Sequence, residues 1–231
     1  MNTITLERGS VAVWDLADSP RLVAEVLDRG GVLAVPTGSS YALAADPTHA
    51  AGVGLIYEIK QRPPSEPLPV VVGDPSRLEE LGVSCESGLG GLESAWPGAL
   101  TVVLPCNPGI PAAAGKASLA VRVPGDRRLR ELLSKLGRPL TATSANQTGG
   151  VPLTNPAALQ TLLSGHDAVI VNAGPCVGGA PSTLVRFDGE SAQVLRTGRI
   201  SVSRLREMAP GLEIRNAPGS ASRKPGTEGA S

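Results

Sequence analysis

The chain has 231 residues, 41% hydrophobic and 18% charged, and its 21 basic and 21 acidic side chains balance to a formal net charge of zero. This length makes one large domain, or at most two small ones, and buries a core without disulfide or metal staples. The zero balance argues against tight phosphate-driven nucleic-acid binding as the principal role, and two Trp, two Tyr and one Phe leave few rings to stack on bases.

In chain order, Ser19-Pro20 followed by Arg21 to Arg29 predicts a helix, with Gly30 as its stop. The apolar run Val32 to Val35, ending at Pro36, predicts a buried strand. A second helix is predicted from about Thr48 to Lys60, a strand over Leu68 to Val72, and a short helix that starts at Asp74-Pro75 and ends at Gly82. Strands follow at Leu100 to Leu104 and Leu119 to Val123. Asp126 to Leu136 reads as a helix closed by Gly137, with a strand at Leu140 to Thr143 behind it. Asn155-Pro156 opens a helix stopping near Gly165, before the apolar run Ala168 to Val171. Thr183 to Phe187 and Val194 to Arg196 form a hairpin pattern across Asp188-Gly189. Strands alternating with helices predict an α/β fold, and the consecutive late strands make the sheet mixed. From about Asn216 the composition turns to Pro, Gly, Ser, Arg and Lys, so a domain over 1–212 and a disordered tail over 213–231 are expected.

Cys85, Cys106 and Cys176 form no CxxC pair and are not near His49 or His166, so neither a zinc site nor a disulfide framework is expected. They read as small buried hydrophobes. Met1 to Glu7 lacks a signal-peptide pattern and no apolar run reaches membrane-spanning length; a soluble, cytoplasmic protein is expected.

Four segments set polar groups at the ends of apolar strands, where α/β proteins bind ligands. The first, Pro36-Thr37-Gly38-Ser39-Ser40-Tyr41, is either a ligand loop or a surface turn with chance hydroxyls. Lys60 and Arg62 flank Gln61 before Pro63, which favours an extended Arg62 so that the two cations converge; basic residues also suit a helix C-terminus for its dipole alone. Thr143-Ser144-Ala145-Asn146 reads equally as a nucleotide contact or a structural turn. Arg122 and Arg196 interrupt or end apolar strands, where a charge needs a partner, whether a carboxylate or an anionic ligand.

Taken in order, the segments PTGSSYAL, IKQRP, PLPVVV, WPGALTVVLP, LAVRVP, TATSAN, PSTLVRF and VLRTG resemble the YrdC/Sua5 family, in register from about Gly30 to Gly198. The resemblance implies a single-domain twisted mixed sheet flanked by helices, with an open basic groove. It implies a nucleotidyltransferase that joins L-threonine, bicarbonate and ATP, with Mg²⁺ carried by the ATP phosphates, into threonylcarbamoyl-adenylate for tRNA modification. It assigns Lys60 and Arg62 to the triphosphate and carbamate, Arg196 to a nucleotide phosphate, and Arg122 to the ligand or the groove. Thr143, Ser144, Asn146 and Ser182 are placed on the nucleotide, and Thr37 and Tyr41 beside threonine. The partners it implies are downstream tRNA threonylcarbamoyl transferase proteins, with weak RNA binding as a side property. Relatives usually read P-T-D-T-x-Y-G-L and K-P-L; this chain has Gly38, Ser39 and Ala42 in the first and Glu66 in the second. The alternatives are a non-catalytic or respecialised paralogue that binds nucleotide or RNA, and a carbamoyltransferase component, which needs domains this chain does not contain.

Overall fold

Strand β2 (Val32–Pro36) has no polar position because both of its faces are covered. Val32 and Ala34 join one hydrophobic cluster, and Leu33 and Val35 join another. Strands buried on both faces read as continuous apolar runs. The computed structural model describes residues 10–15, 20–83 and 88–216. In chain order the elements are β1 (Val11–Asp15), α1 (Arg21–Asp28), β2, β3 (Tyr41–Ala44), α2 (Ala50–Lys60), β4 (Val70–Val71), β5 (Leu100–Pro105), β6 (Ser118–Arg122) and α3 (Arg127–Leu136). There follow β7 (Leu140–Thr141), β8 (Thr143–Ser144), α4 (Pro156–Leu163), β9 (Ala168–Asn172), β10 (Thr183–Phe187), β11 (Ser191–Arg196), α5 (Val202–Met208) and β12 (Glu213–Asn216). Short 3₁₀ turns occupy Pro75–Leu81, Leu92–Ala95 and Pro111–Ala113.

The mixed α/β class stands, but the strands divide between two sheets. One runs β1-β9-β2-β3-β8 and the other β12-β11-β10-β5-β6-β4-β7. One cluster unites residues of both sheets with Val53, Ile56 and Ile59 of α2; the second packs α1 and α3 on the opposite face of β2, β3 and β9. The stretch expected as one strand over Leu140 to Thr143 is where the chain changes sheets. β7 pairs with β4 and β8 with β3, with Ala142 between them.

Several boundaries moved for physical reasons. Asp126 caps α3 by accepting from Leu129 N at 3.1 Å, and Gly137 closes the helix in a left-handed conformation, as expected. Tyr41, read as the last residue of a loop, opens β3, which pairs with β2 on one side and β8 on the other. Glu213–Asn216, read as the start of the tail, forms β12 parallel to β11, and Ile214 is buried there. Residues 217–231, like Ser19 and Cys85, lie outside the described residues. β1 and α5 had no sequence expectation. None of the described helices is long and apolar enough to cross a membrane.

The sheet crossing is anchored by Thr141, which is fully buried. Its backbone N–H donates to Ala45 O at 2.8 Å, and its Oγ1 accepts from Ala45 N at 2.9 Å. Thr141→Val keeps the shape and removes that acceptor, stranding a buried N–H; unfolding in urea should show a loss of about 1–3 kcal/mol.

Candidate functional site

Period-two alternation places the first candidate side chain. In β6, Leu119 and Val121 enter the core, so Ala120 and Arg122 point to the opposite face. In β5, Leu100, Val102 and Leu104 are core and Thr101 faces the other way; in β10, Leu184 does the same beside it. That face of the seven-stranded sheet floors a cleft of about 720 Å³. The other sheet contributes Ala42, Thr143 and Ser144 to its wall, and the loops add Thr37, Ser39, Ser40, Arg62, Thr154, Gly178, Gly179 and Ser182. Arg196 closes the set at the end of β11. No carboxylate lines the cleft among the described residues.

Arg122 donates from Nε to Gly98 O at 2.7 Å and has no ion pair among the described residues. Burial and the positive charge of Arg199 lower its proton affinity, and Asp126 partly offsets them. Ser182 and Thr101 share a hydroxyl–hydroxyl bond of 2.8 Å, and Arg196 Nη2 donates to Ser182 O at 3.1 Å. Arg62 reaches the cleft with Nη2 held by Pro67 O at 3.1 Å and by Glu66 at 3.2 Å, so the acid in the E-P-L segment pairs with the cation of K-x-R. Arg62 Nε is buried without a partner.

The Lys60 and Arg62 side chains face different ways in the structure. Gln61 caps α2 in a left-handed conformation at φ 49° and ψ 44°, which sends its two neighbours different ways. Lys60 is only 3% exposed and does not line the cleft. Its Nζ donates to Ser144 O at 2.5 Å, Asn146 O at 2.9 Å and Asn146 Oδ1 at 3.3 Å. Three N–H groups thus meet three oxygens, the full donor capacity of an ammonium. Thr148 returns the tie, donating from N and Oγ1 to Lys60 O at 2.8 and 2.9 Å. Burial, with Arg62 adding to it, lowers Lys60 to about 8, still above neutrality.

Asn146 is likewise a turn organiser. It accepts from Ser144 Oγ at 2.5 Å and donates to Gln147 O and Gly150 O at 2.6 and 2.9 Å, and it borders a second, shallower hollow rather than the cleft. Tyr41, expected beside threonine, is fully buried; its hydroxyl donates to Gly174 O at 2.8 Å and accepts from Ala173 N at 3.2 Å. Thr37 does line the cleft, with its Oγ1 donating to Ser40 O at 2.8 Å to close the turn. Gly38 at the turn tip has φ +89°, a conformation that glycine adopts without strain. Ala42 sits in an ordinary strand, so its Cβ needs no positive φ to be relieved. Thr101 was not anticipated, although a lone hydroxyl alternating with Leu100 and Val102 carries the signal.

Fold and cleft together define an α/β protein whose binding surface offers arginines and hydroxyls from two sheets. A family model for Sua5/YciO/YrdC, described as "Telomere recombination", matches residues 25–198. Threonylcarbamoyl-AMP synthase of Bacillus subtilis is 35% identical over 182 residues, covering 77% of this chain and 53% of that protein. A putative threonylcarbamoyl-AMP synthase of Mycobacterium tuberculosis is 32% identical over 185 residues, covering 79% and 85%. The chain therefore spans about half the length of the first relative and most of the second. Among solved structures, a P. abyssi Sua5 superposes with TM-score 0.79 at 26% identity, over 90% of this chain and 66% of that one. E. coli YciO superposes with TM-score 0.70 at 23% identity, over 85% and 99%. The chain belongs to the Sua5/YciO/YrdC family.

Lys60 generates a prediction with a definite sign. Its folded-state value of about 8 lies below the ordinary 10.5, so between those values the unfolded state binds the proton and the folded state does not. Stability from this group therefore rises with pH across that window. Urea unfolding of wild type relative to Lys60→Met should show a gain of about 1–3 kcal/mol from pH 8 to 10.5, and a flat difference would contradict the burial argument.

Proposed function

We propose that this chain is an L-threonylcarbamoyladenylate synthase, converting threonine, bicarbonate and ATP into threonylcarbamoyl-AMP and pyrophosphate. The observation that carries the reading is the cleft itself: Arg62, Arg122 and Arg196 with the hydroxyls of Thr101, Thr143, Ser144 and Ser182 and no acid, in a chain 35% identical to an enzyme of that name. Such a surface suits a reaction between anions. Threonine's amine and bicarbonate condense to a carbamate with loss of water. A carbamate oxygen then bonds to the α-phosphorus as the bond from that phosphorus to the leaving pyrophosphate oxygen breaks.

No strong base is needed for that step; the barrier is alignment and charge repulsion, which fixed guanidinium groups reduce. Arg122 and Arg196 face the nucleotide phosphates, and the buried, unpartnered Nε of Arg62 is a donor for a phosphate or carbamate oxygen. Thr143, Ser144, Thr101 and Ser182 hydrogen-bond the nucleotide. Lys60 and Asn146 act as positioning residues that hold Ser144 in place, and Tyr41 secures the segment at Ala173. Mg²⁺ fits as the metal–nucleotide complex: the cleft has hydroxyl oxygens and no carboxylate, and no group of three or more His, Cys, Asp or Glu that could hold a metal occurs among the described residues. When bound, it neutralises phosphate charge. The product would pass to tRNA threonylcarbamoyl transferase proteins in the cytoplasm.

A second reading, a respecialised paralogue, draws on Gly38, whose position leaves the first loop without a carboxylate to meet the amino group of the substrate. Pyrophosphate release from ATP and bicarbonate with Mg²⁺ separates the two. Threonine-dependent release, falling at least about 100-fold in Arg122→Ala and not restored by Arg122→Lys, is the expected outcome. Preference for another amino acid would favour the paralogue, and no release from folded, ATP-binding protein would overturn catalysis.

A further inference from the structure

Ion pairing divides the arginines of this protein. Arg29, Arg77, Arg138, Arg204 and Arg215 each meet a carboxylate. Arg122, Arg196 and Arg199 have none among the described residues; Arg130, Arg186 and Arg206 also lack one, but they do not line the cleft. Each of the first three instead gives an N–H to a backbone carbonyl: Arg122 to Gly98, Arg196 to Ser182 and Arg199 to Gly178. A guanidinium held this way keeps a fixed direction and retains further donors for a ligand.

Arg199 follows the R-T-G segment and is exposed. Its backbone N–H donates to Pro181 O at 2.9 Å, tying it to the segment at Gly178, Gly179, Pro181 and Ser182, all of which line the cleft. The guanidinium lies against Gly179, where an added Cβ would stand 3.2 Å from Nη2. The bond to Gly178 O is 3.4 Å, at the weak end of the range, and is easily exchanged for a shorter one to an anion. Arg199 is also close enough to Arg122 to disfavour the latter's charge. Arg122 lies deeper, on the sheet, and Arg199 lies at the rim. Two like charges arranged from floor to rim, neither in ion-pair contact with a carboxylate, match a ligand that carries several negative charges along its length.

We propose that Arg199 is a further ligand-binding residue, contacting the outer phosphates of the nucleotide and the pyrophosphate as it leaves through the rim. This rests on the nucleotide-using reading above. The leaving group gains negative charge as the phosphorus–oxygen bond breaks, and the rim is where it meets solvent. A cation there stabilises pyrophosphate without touching the adenosine end.

The test is calorimetric titration of the full chain with magnesium pyrophosphate and, separately, with AMP. Arg199→Ala should weaken pyrophosphate about tenfold, flatten its salt dependence, and leave AMP affinity within about twofold; Arg199→Lys should recover part of the loss. In turnover, the ATP KM should rise with the amino-acid KM unchanged. Equal pyrophosphate affinity in wild type and Arg199→Ala overturns the proposal, as does a matched loss of pyrophosphate and AMP, which would mean that Arg199 only shapes the segment. Arg199→Gln serves if the alanine variant does not fold. Wild-type protein that binds neither ATP nor pyrophosphate defeats the nucleotide reading itself; normal binding with no Arg199 effect defeats this inference alone.

Discussion

The short run from Leu140 to Asn146 is the constraint on which the rest of the molecule depends. It leaves the seven-stranded sheet at Thr141 and joins the five-stranded sheet at Thr143, so the two sheets can meet only where this backbone allows. Two devices hold the crossing. The reciprocal bonds between Thr141 and Ala45 fix its start, and the Lys60 ammonium, surrounded by three oxygens, fixes its end. Losing either leaves buried polar groups unpaired, at a cost larger than the net value of the bond itself. The cleft forms at this junction, and so its geometry inherits the rigidity of the crossing.

The cleft's guanidinium groups contrast with the structural ion pair at Arg29. The Arg29 guanidinium holds Asp167 through contacts of 2.5 and 2.7 Å between α1 and the start of β9, a structural bridge with its counter-ion in place. At the cleft and its rim, Arg122, Arg196 and Arg199 use carbonyl oxygens to set direction and have no carboxylate in ion-pair contact, with Asp126 only partly offsetting the charge around Arg122. Arg62 is intermediate: Glu66 shares it, and one of its nitrogens remains buried and unpartnered. A site prepared this way is destabilised by its own repulsion when empty and gains from a polyanion. The fold supplies this field through the alternation of β6 and through the carbonyls of the irregular segment beside it.

The departures from the family's first motif have local explanations. Gly38 occupies a left-handed turn tip that an L-residue would strain, and Ala42 is an unstrained strand residue. The loop is thus consistent with its own sequence, with Thr37 closing the turn that an acidic side chain would otherwise help to cap.

Much of the architecture was legible in the residues. The uninterrupted apolar run of β2, the Asp126 and Asn155 caps and the Asp188-Gly189 hairpin are local signals, each set by sterics or by one hydrogen bond, and each appears where expected. The order of the polar segments also pointed to the cleft, and Arg62, Arg122, Thr143, Ser144, Ser182 and Arg196 all line it. What residues alone did not decide was direction. Lys60 and Arg62 are two positions apart, yet one turns inward to brace Ser144 while the other faces the cleft, because Gln61 adopts a left-handed cap. Tyr41 reads as a ligand residue and is a core residue, since β3 is flanked by strands on both sides. The division into two sheets, the burial of Ile214 and the place of Arg199 at the rim rest on contacts between segments far apart in the chain. Local chemistry determines which element forms; only the long-range packing determines which side of it meets the ligand.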